Sequence, residues 1–229
     1  MIAERLTEVR SRIATAARSV GRPSSSVRLI AVSKTCPLDA IQDAYAAGQR
    51  DFGENRVQEA LQKIGTATVP SIRWHLLGHL QTNKARKAAA AFASVQSVDS
   101  VELLHRLDLA ALEAGASPEL LIQVAVVHET TKFGVPPADV PRILEAGAKL
   151  EAARVVGLMT IPLPTETPED ARPWFRRLRG LRDECLASGV PPVMLRELSM
   201  GMSGDFEVAI QEGATMVRVG TAIFGNRVL

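Results

Sequence analysis

Lysine is scarce in this chain: the six that occur are Lys34, Lys63, Lys84, Lys87, Lys132 and Lys149. Of these, Lys34 is the one placed for chemistry. It ends the run Leu29-Ile30-Ala31-Val32-Ser33, whose apolar, β-branched content reads as a buried strand. Desolvation there would depress an amine below its usual pKa of about 10.4. An unprotonated lysine adds to aldehydes and forms a Schiff base. The alternative is a lysine whose stem lies on an apolar rim while its ammonium stays in water.

Two glycine-containing segments near the other end of the chain would suit a phosphate. Ser199-Met200-Gly201-Met202-Ser203-Gly204 precedes a helical stretch beginning at Phe206, and Gly220-Thr221 follows a short apolar run ending in Arg218-Val219. Backbone N–H groups and a hydroxyl at a helix start are a ready anion site. The plainer reading is a helix cap with turn glycines. Gly201-Met202-Ser203-Gly204-Asp205 also brushes the nucleophile-elbow pattern, but Asp205 stands at its second glycine position and removes it. An aldehyde-reactive lysine and a phosphate cradle together fit pyridoxal 5′-phosphate (PLP). They fit a Schiff-base aldolase acting on a phosphorylated sugar equally well, and spacing leaves both open.

The elements that must position these residues follow a repeating pattern. An amphipathic helix (Ile2, Leu6, Val9, Ile13, Val20) is closed by Gly21 and Pro23. Apolar strands follow at 27–33, Arg50–Phe52, Arg73–Leu77, Ala93–Ser97, Glu119–Val126, Arg154–Met159, Met194–Leu198 and Thr215–Val219. Helical stretches separate them, including Glu54–Ile64, Pro137–Ala146 and Pro168–Ala187. Eight strand–helix units imply a single (β/α)8 TIM-type barrel domain spanning 1–229, with an extra N-terminal helix. An open doubly wound sheet would carry a glycine-rich first turn, whereas this turn is Ser33-Lys34-Thr35-Cys36-Pro37. Barrel chemistry sits past the C-terminal strand ends. The residues there include Lys34, Thr35, Glu54, Asn55, His79, Gln81, Asn83, Ser97, Asp99, Ser100, His128, Glu129, Lys132, Thr160, Ser203, Arg218, Gly220 and Thr221.

Composition excludes several classes. The chain has 229 residues, 46% hydrophobic and 23% charged, with a net charge of +2. That gives no field for nucleic acid or an anionic membrane. No apolar run approaches the roughly 18 residues of a span, and the N-terminus does not read as a signal peptide. Cys36 and Cys185 form no metal or disulfide pattern. His75 and His79, read as sharing a strand face, lack a third metal ligand. Arg172, Arg176, Arg177, Arg179 and Arg182, beside Trp174 and Phe175, read as a solvated helix face with its aromatics turned inward. A cytoplasmic monomer is expected.

Several segments carry a resemblance: Ala31-Val32-Ser33-Lys34-Thr35, Phe52-Gly53-Glu54-Asn55-Arg56-Val57-Gln58-Glu59 and Trp74-His75-Leu76-Leu77-Gly78-His79-Leu80-Gln81-Thr82-Asn83-Lys84. With them go Gly157-Leu158-Met159-Thr160-Ile161-Pro162, Leu198-Ser199-Met200-Gly201-Met202-Ser203-Gly204-Asp205 and Val217-Arg218-Val219-Gly220-Thr221-Ala222-Ile223-Phe224-Gly225. In order, and over nearly the whole chain, they resemble the pyridoxal phosphate homeostasis protein family. The resemblance implies a barrel like that of alanine racemases, PLP on Lys34, and a part in vitamin B6 balance without established turnover. It implies that Ser203, Gly220 and Thr221 hold the phosphate, that Arg218 faces the pyridine nitrogen, and that Asn55 and Met159 line the ring. Cys36 stands where the family often has a second lysine, and Arg56 where an aromatic residue is common; Lys132 is left as a candidate second lysine.

Three functions follow from these readings. A PLP carrier, handing cofactor to apo-enzymes, is favoured over an amino-acid racemase and over an aldolase. Racemisation needs an acid or base on each face of the substrate, and racemases take the second from a tyrosine in a further domain, which this chain is expected to lack. The single tyrosine, Tyr45, lies in the first crossover helix. An arginine at the pyridine nitrogen would also weaken the ring as an electron sink.

Overall fold

The computed structural model describes residues 1–66, 71–127 and 133–225. Eight parallel strands close into a barrel in sequence order, with the last hydrogen-bonded to the first. They are β1 (Arg28–Val32), β2 (Asp51–Glu54), β3 (Arg73–Leu76), β4 (Ser94–Val98), β5 (Glu119–Gln123), β6 (Arg154–Met159), β7 (Glu197–Ser199) and β8 (Met216–Val219). The helices are α1 (Ile2–Ser19), α2 (Leu38–Ala46), α3 (Val57–Thr66), α4 (Ala85–Ala91), α5 (Val101–Ala114), α6 (Val140–Gly147), α7 (Arg172–Ala187), α8 (Phe206–Gln211) and α9 (Thr221–Phe224). The eight-strand barrel and its extra first helix are as the periodicity implies. Helix α1 buries Leu6, Val9 and Ile13 against its neighbours, each burial contributing about 1.5–3 kcal/mol. It packs on α8, α9 and α2, and Arg22, just past its end, donates to the carbonyls of Ile210 and Ala214.

Several boundaries differ from the sequence reading, and three of them have a clear local reason. Glu54, read as the start of a helix, is the last residue of β2 and accepts the Leu77 amide through its carbonyl, so α3 starts at Val57. Met194 is not in a strand. Pro191 and Pro192 open a single 3-10 turn, because proline fixes φ and offers no ladder N–H, and β7 starts at Glu197. Strand β5 stops at Gln123, three residues short of the expected Val126, with Val124 making only an isolated bridge to Val135.

Most of the core lies between strands and helices. The barrel lumen is a different place. Ile30, Leu121, Val156, Met159 and Met216 fill part of it, and the side chains of His75, Gln96, Ser199 and Arg218 form a buried polar chain. The pairing of β5 with β6 shifts between Leu120 and Leu121, giving β6 an extra residue at Val156. Alternation alone would place Met159 opposite to Val156; the bulge brings both into the lumen cluster.

Candidate cofactor site at the C-terminal mouth of the barrel

Lys34 stands in a turn immediately beyond β1 and is half-buried. The Cys36 amide donates to the Ser33 carbonyl across 2.9 Å and closes the turn. Thr35 inside it has φ +61°. For a β-branched residue this left-handed conformation costs of order 1–3 kcal/mol and persists only where the surroundings over-determine it. The surroundings do so here. The Thr35 amide donates to Glu59 Oε1 at 2.5 Å. Lys63 Nζ donates to Glu59 Oε1 at 2.7 Å, to Glu54 Oε1 at 2.8 Å and to the Ser33 carbonyl at 2.8 Å. Ser33 Oγ donates to the same Glu54 oxygen at 2.6 Å. Burial pushes the Glu54 carboxyl up despite these bonds, and its second oxygen has no partner among the described residues. Burial also works against ionisation of Glu59, but hydrogen bonds from Lys63 and Thr35 hold it below the usual carboxylate range.

The loops after β7 and β8 meet beside this turn. Strand β8 pairs with β1, Ala31 opposite Val219. A Cβ on Gly220 would lie 3.3 Å from the Val32 carbonyl oxygen, so glycine permits the loop to lie this close to the end of β1. The amides of Gly220 and Ala222 donate to Ser203 Oγ at 3.2 and 3.5 Å. Ser203 is therefore not the cap of α8; Asp205 occupies that position, its carboxylate accepting the Met202 amide at 2.6 Å. Ser203 instead ties the β7 loop to the start of α9. Those two bonds do not use its hydroxyl proton, and Thr221 is the exposed first residue of α9. First-turn amides of a helix have no partner within the helix.

Arg218 is 3% exposed on β8. Its guanidinium donates to Ser199 Oγ and to the Thr160 carbonyl, both at 2.7 Å. Those acceptors are neutral, and burial pushes its pKa down to about 10 with Asp205 opposing the shift. It keeps its charge at neutral pH. Behind it the hydrogen bonds run in one direction through the lumen. Ser199 Oγ donates to Gln96 Oε1 at 2.6 Å, Gln96 Nε2 sits 3.4 Å from His75 Nδ1, and His75 Nε2 is 2.9 Å from Asp51 Oδ1. With Ser199 donating, Gln96 must turn its amide nitrogen to His75, whose Nε2–H then faces Asp51. Burial opposes ionisation of Asp51, yet His75 and Arg73 bring its pKa down to about 2. The chain joins a cation at the mouth to a carboxylate at the opposite end, an arrangement in which successive bonds polarise one another.

The remaining expected residues distribute as follows. Asn55 follows β2, half-buried, with its backbone against Gly78 so closely that a Cβ there would lie 2.2 Å from the Asn55 carbonyl oxygen. Met159 is buried at the end of β6. Lys34, Asn55, Met159, Ser203, Arg218, Gly220 and Thr221 thus belong to five adjacent strands, β6 to β8 and β1 to β2, along one side of the mouth. His75 and His79 do not share a strand, because β3 ends at Leu76. His75 joins the lumen chain, whereas His79 pairs with Asp99 at 3.0 Å and stacks on Phe133. Arg56 is exposed. Arg172, Arg176 and Arg179 converge on buried Glu212, with Phe175 buried behind them. His128, Glu129 and Lys132 lie outside the described residues. Tyr45 is far from the mouth, under the guanidinium of Arg50, which precedes β2. Arg50 also lines a cleft of about 490 Å³ on the N-terminal face, with Arg10, Arg28 and Arg73.

Sequence reasoning missed the polar chain below Arg218 and the cluster around Lys63. The second had a signal: Glu59 and Lys63 are four apart, the spacing of a helical ion pair. The first had none, since His75, Gln96 and Ser199 come from three strands and meet only when the barrel closes.

Residues 5–228 match the family described as alanine racemase, N-terminal domain. The chain is 43% identical to the pyridoxal phosphate homeostasis protein of Aquifex aeolicus, covering 98% of this chain and 97% of that one. It is 45% identical to the protein of the same name from Pseudomonas aeruginosa, at 99% and 96% coverage. Among solved structures, PipY of Synechococcus elongatus with PLP bound superposes with a TM-score of 0.86 at 46% identity, covering 98% of this chain and 100% of that chain. An alanine racemase from Clostridium difficile shares the fold at 16% identity, with a TM-score of 0.69 over 94% of this chain and 56% of that chain.

Proposed function

The chain belongs to the pyridoxal phosphate homeostasis protein family, and we propose that it holds PLP at the barrel mouth, covalently on Lys34, as a reservoir without an efficient catalytic cycle. The observation that carries this reading is the convergence of the Gly220 and Ala222 amides on Ser203 Oγ, beside the turn that presents Lys34. When bound, the cofactor supplies an aldehyde for a lysine and a pyridine ring able to withdraw electrons. Ser203, through the hydroxyl proton that those two amide bonds leave over, and the Thr221 amide would take the phosphate, as donors at a helix start do, with Gly220 letting the loop lie close to β1. Asn55 and Met159 would flank the ring. Arg218, buried and charged, would meet the pyridine nitrogen and disfavour its protonation.

The same residues argue for storage over turnover. Moving an α-proton needs a base on the reacting face and, for inversion, an acid on the other. Lys34 supplies one. Tyr45 sits at the other end of the barrel against Arg50. Arg218 lowers the capacity of the ring to accept charge. No helix among the described residues is long and apolar enough to cross a membrane. On this reading the protein is a cytoplasmic monomer that yields PLP to apo-enzymes.

The test is incubation of the PLP-loaded protein with L- and D-alanine and serine in deuterated water, following stereochemistry and exchange at the α-carbon. The expected result is no inversion, with at most slow one-face exchange through Lys34. Steady racemisation at rates on the order of 1 per second or more would replace the reservoir with an enzyme.

A further inference from the structure

The turn that carries Lys34 holds a β-branched residue, Thr35, at φ +61°. Three pieces of chain are tied together around it by one ammonium. Lys63 on α3 spends all three of its donors, on the Ser33 carbonyl after β1, Glu54 at the end of β2 and Glu59 in the first turn of α3. Glu59 Oε1 is shared between Lys63 and the Thr35 amide. The carboxylate thus bonds to the backbone of the strained residue itself, while Lys63 anchors the carboxylate to the ends of two strands. Lys63 is nearly buried, at 11% exposure, and Glu54 is fully buried, so the anchor is rigid.

We propose that Glu59 and Lys63 are positioning residues for the cofactor lysine: their ion pair holds Thr35 in the left-handed conformation and so fixes the direction in which Lys34 enters the mouth. The inference rests on the reading that Lys34 carries PLP. Without the clamp the turn relaxes to negative φ, and only a fraction of molecules present Lys34 competently. Apparent affinity falls by that fraction. Glycine adopts positive φ without the steric cost that threonine meets, so replacing Thr35 with glycine should make the clamp dispensable. A clamp that served only to hold the fold together would give no such rescue.

The experiment is a double-mutant cycle read by PLP dissociation constant and by the visible absorbance of the PLP–lysine bond. Apo-protein thermal midpoints are measured beside it. Glu59→Ala is expected to weaken PLP binding about tenfold in the parent chain, and by no more than about twofold in the Thr35→Gly background. An equal loss in both backgrounds, or none in either, overturns the proposal. Where Glu59→Ala lowers the yield of folded protein, Glu59→Gln keeps the length but removes the charge facing Lys63. It is expected to give a smaller loss, again reversed by Thr35→Gly; a loss that Thr35→Gly leaves in place overturns the proposal. Borohydride labelling of the parent chain separates the two levels. A label away from Lys34 removes the PLP reading itself, whereas a label on Lys34 with no coupling between Glu59 and Thr35 removes only the clamp.

Discussion

Charge and hydrogen-bond direction at single residues set what the mouth can do. The chain from Arg218 through Ser199, Gln96 and His75 to Asp51 is buried throughout, so a missing link strands one polar group on each neighbour in a low-dielectric lumen. Gln96→Leu should cost about 1–3 kcal/mol of stability for each buried partner it strands, read from urea unfolding of the apo-protein. A loss below about 0.5 kcal/mol, the usual size of an effect at an ordinary surface position, would mean that the chain does not act as a unit. Asp51 also predicts an acid limb. Its folded pKa of about 2 lies below the unfolded carboxylate value of about 3.9. Its contribution is therefore present above pH 4 and lost as pH falls toward 2. Glu54 works in the opposite sense: its carboxyl is raised by burial, and its ionisation weakens the fold as pH climbs through the carboxylate range. Asp51→Asn should flatten the decline in unfolding midpoint between about pH 4 and 2, and an unchanged decline would place the acid sensitivity elsewhere.

At the scale of elements, the proposed phosphate site in the corner between β7 and β8 would decide which vitamer binds. Charge-assisted hydrogen bonds to a phosphate are roughly twice as strong as neutral ones. Pyridoxal, lacking the phosphate, should bind at least about a hundredfold more weakly than PLP, if two or more such bonds at about 1.5–3 kcal/mol each are lost. Equal affinities in a fluorescence titration would show that Ser203, Gly220 and Thr221 do not form the phosphate site. Much of this corner was legible in sequence, because glycines at 201, 204 and 220 and a helix starting at Phe206 are local signals. The role of Ser203 was less so. Its neighbour Asp205 takes the cap position, and the Ser203 contact is made to a loop 17 residues away. Strand ends were legible only to within a few residues. The prolines before β7 and the extra residue in β6 shift the pattern by one or more positions, and that parity decides whether a side chain such as Met159 meets the lumen.

For the whole molecule, closure of the barrel is the event that turns scattered residues into a site. Periodicity gave eight strand–helix units and hence the mouth. It could not give the lumen, where most barrels stack branched apolar side chains and this one threads His75, Gln96, Ser199 and Arg218. Nor could it give Lys63, whose three acceptors come from two strand ends and a helix. A ligand spanning β1 and β8 across the seam of the closed barrel should stabilise the whole fold by mass action. PLP at 100 times its dissociation constant is expected to add about 2.7 kcal/mol to unfolding, a gain that Lys34→Ala should reduce and a phosphate-site variant should reduce further. Chemical labelling identifies the residue that carries the cofactor. The PLP-loaded protein is reduced with borohydride and digested, and the pyridoxyl group is located by peptide mass mapping. The expected result is a single modified site at Lys34, absent from Lys34→Ala. Modification at Lys63, Lys84 or Lys132 with Lys34 unlabelled would show that Lys34 does not carry PLP.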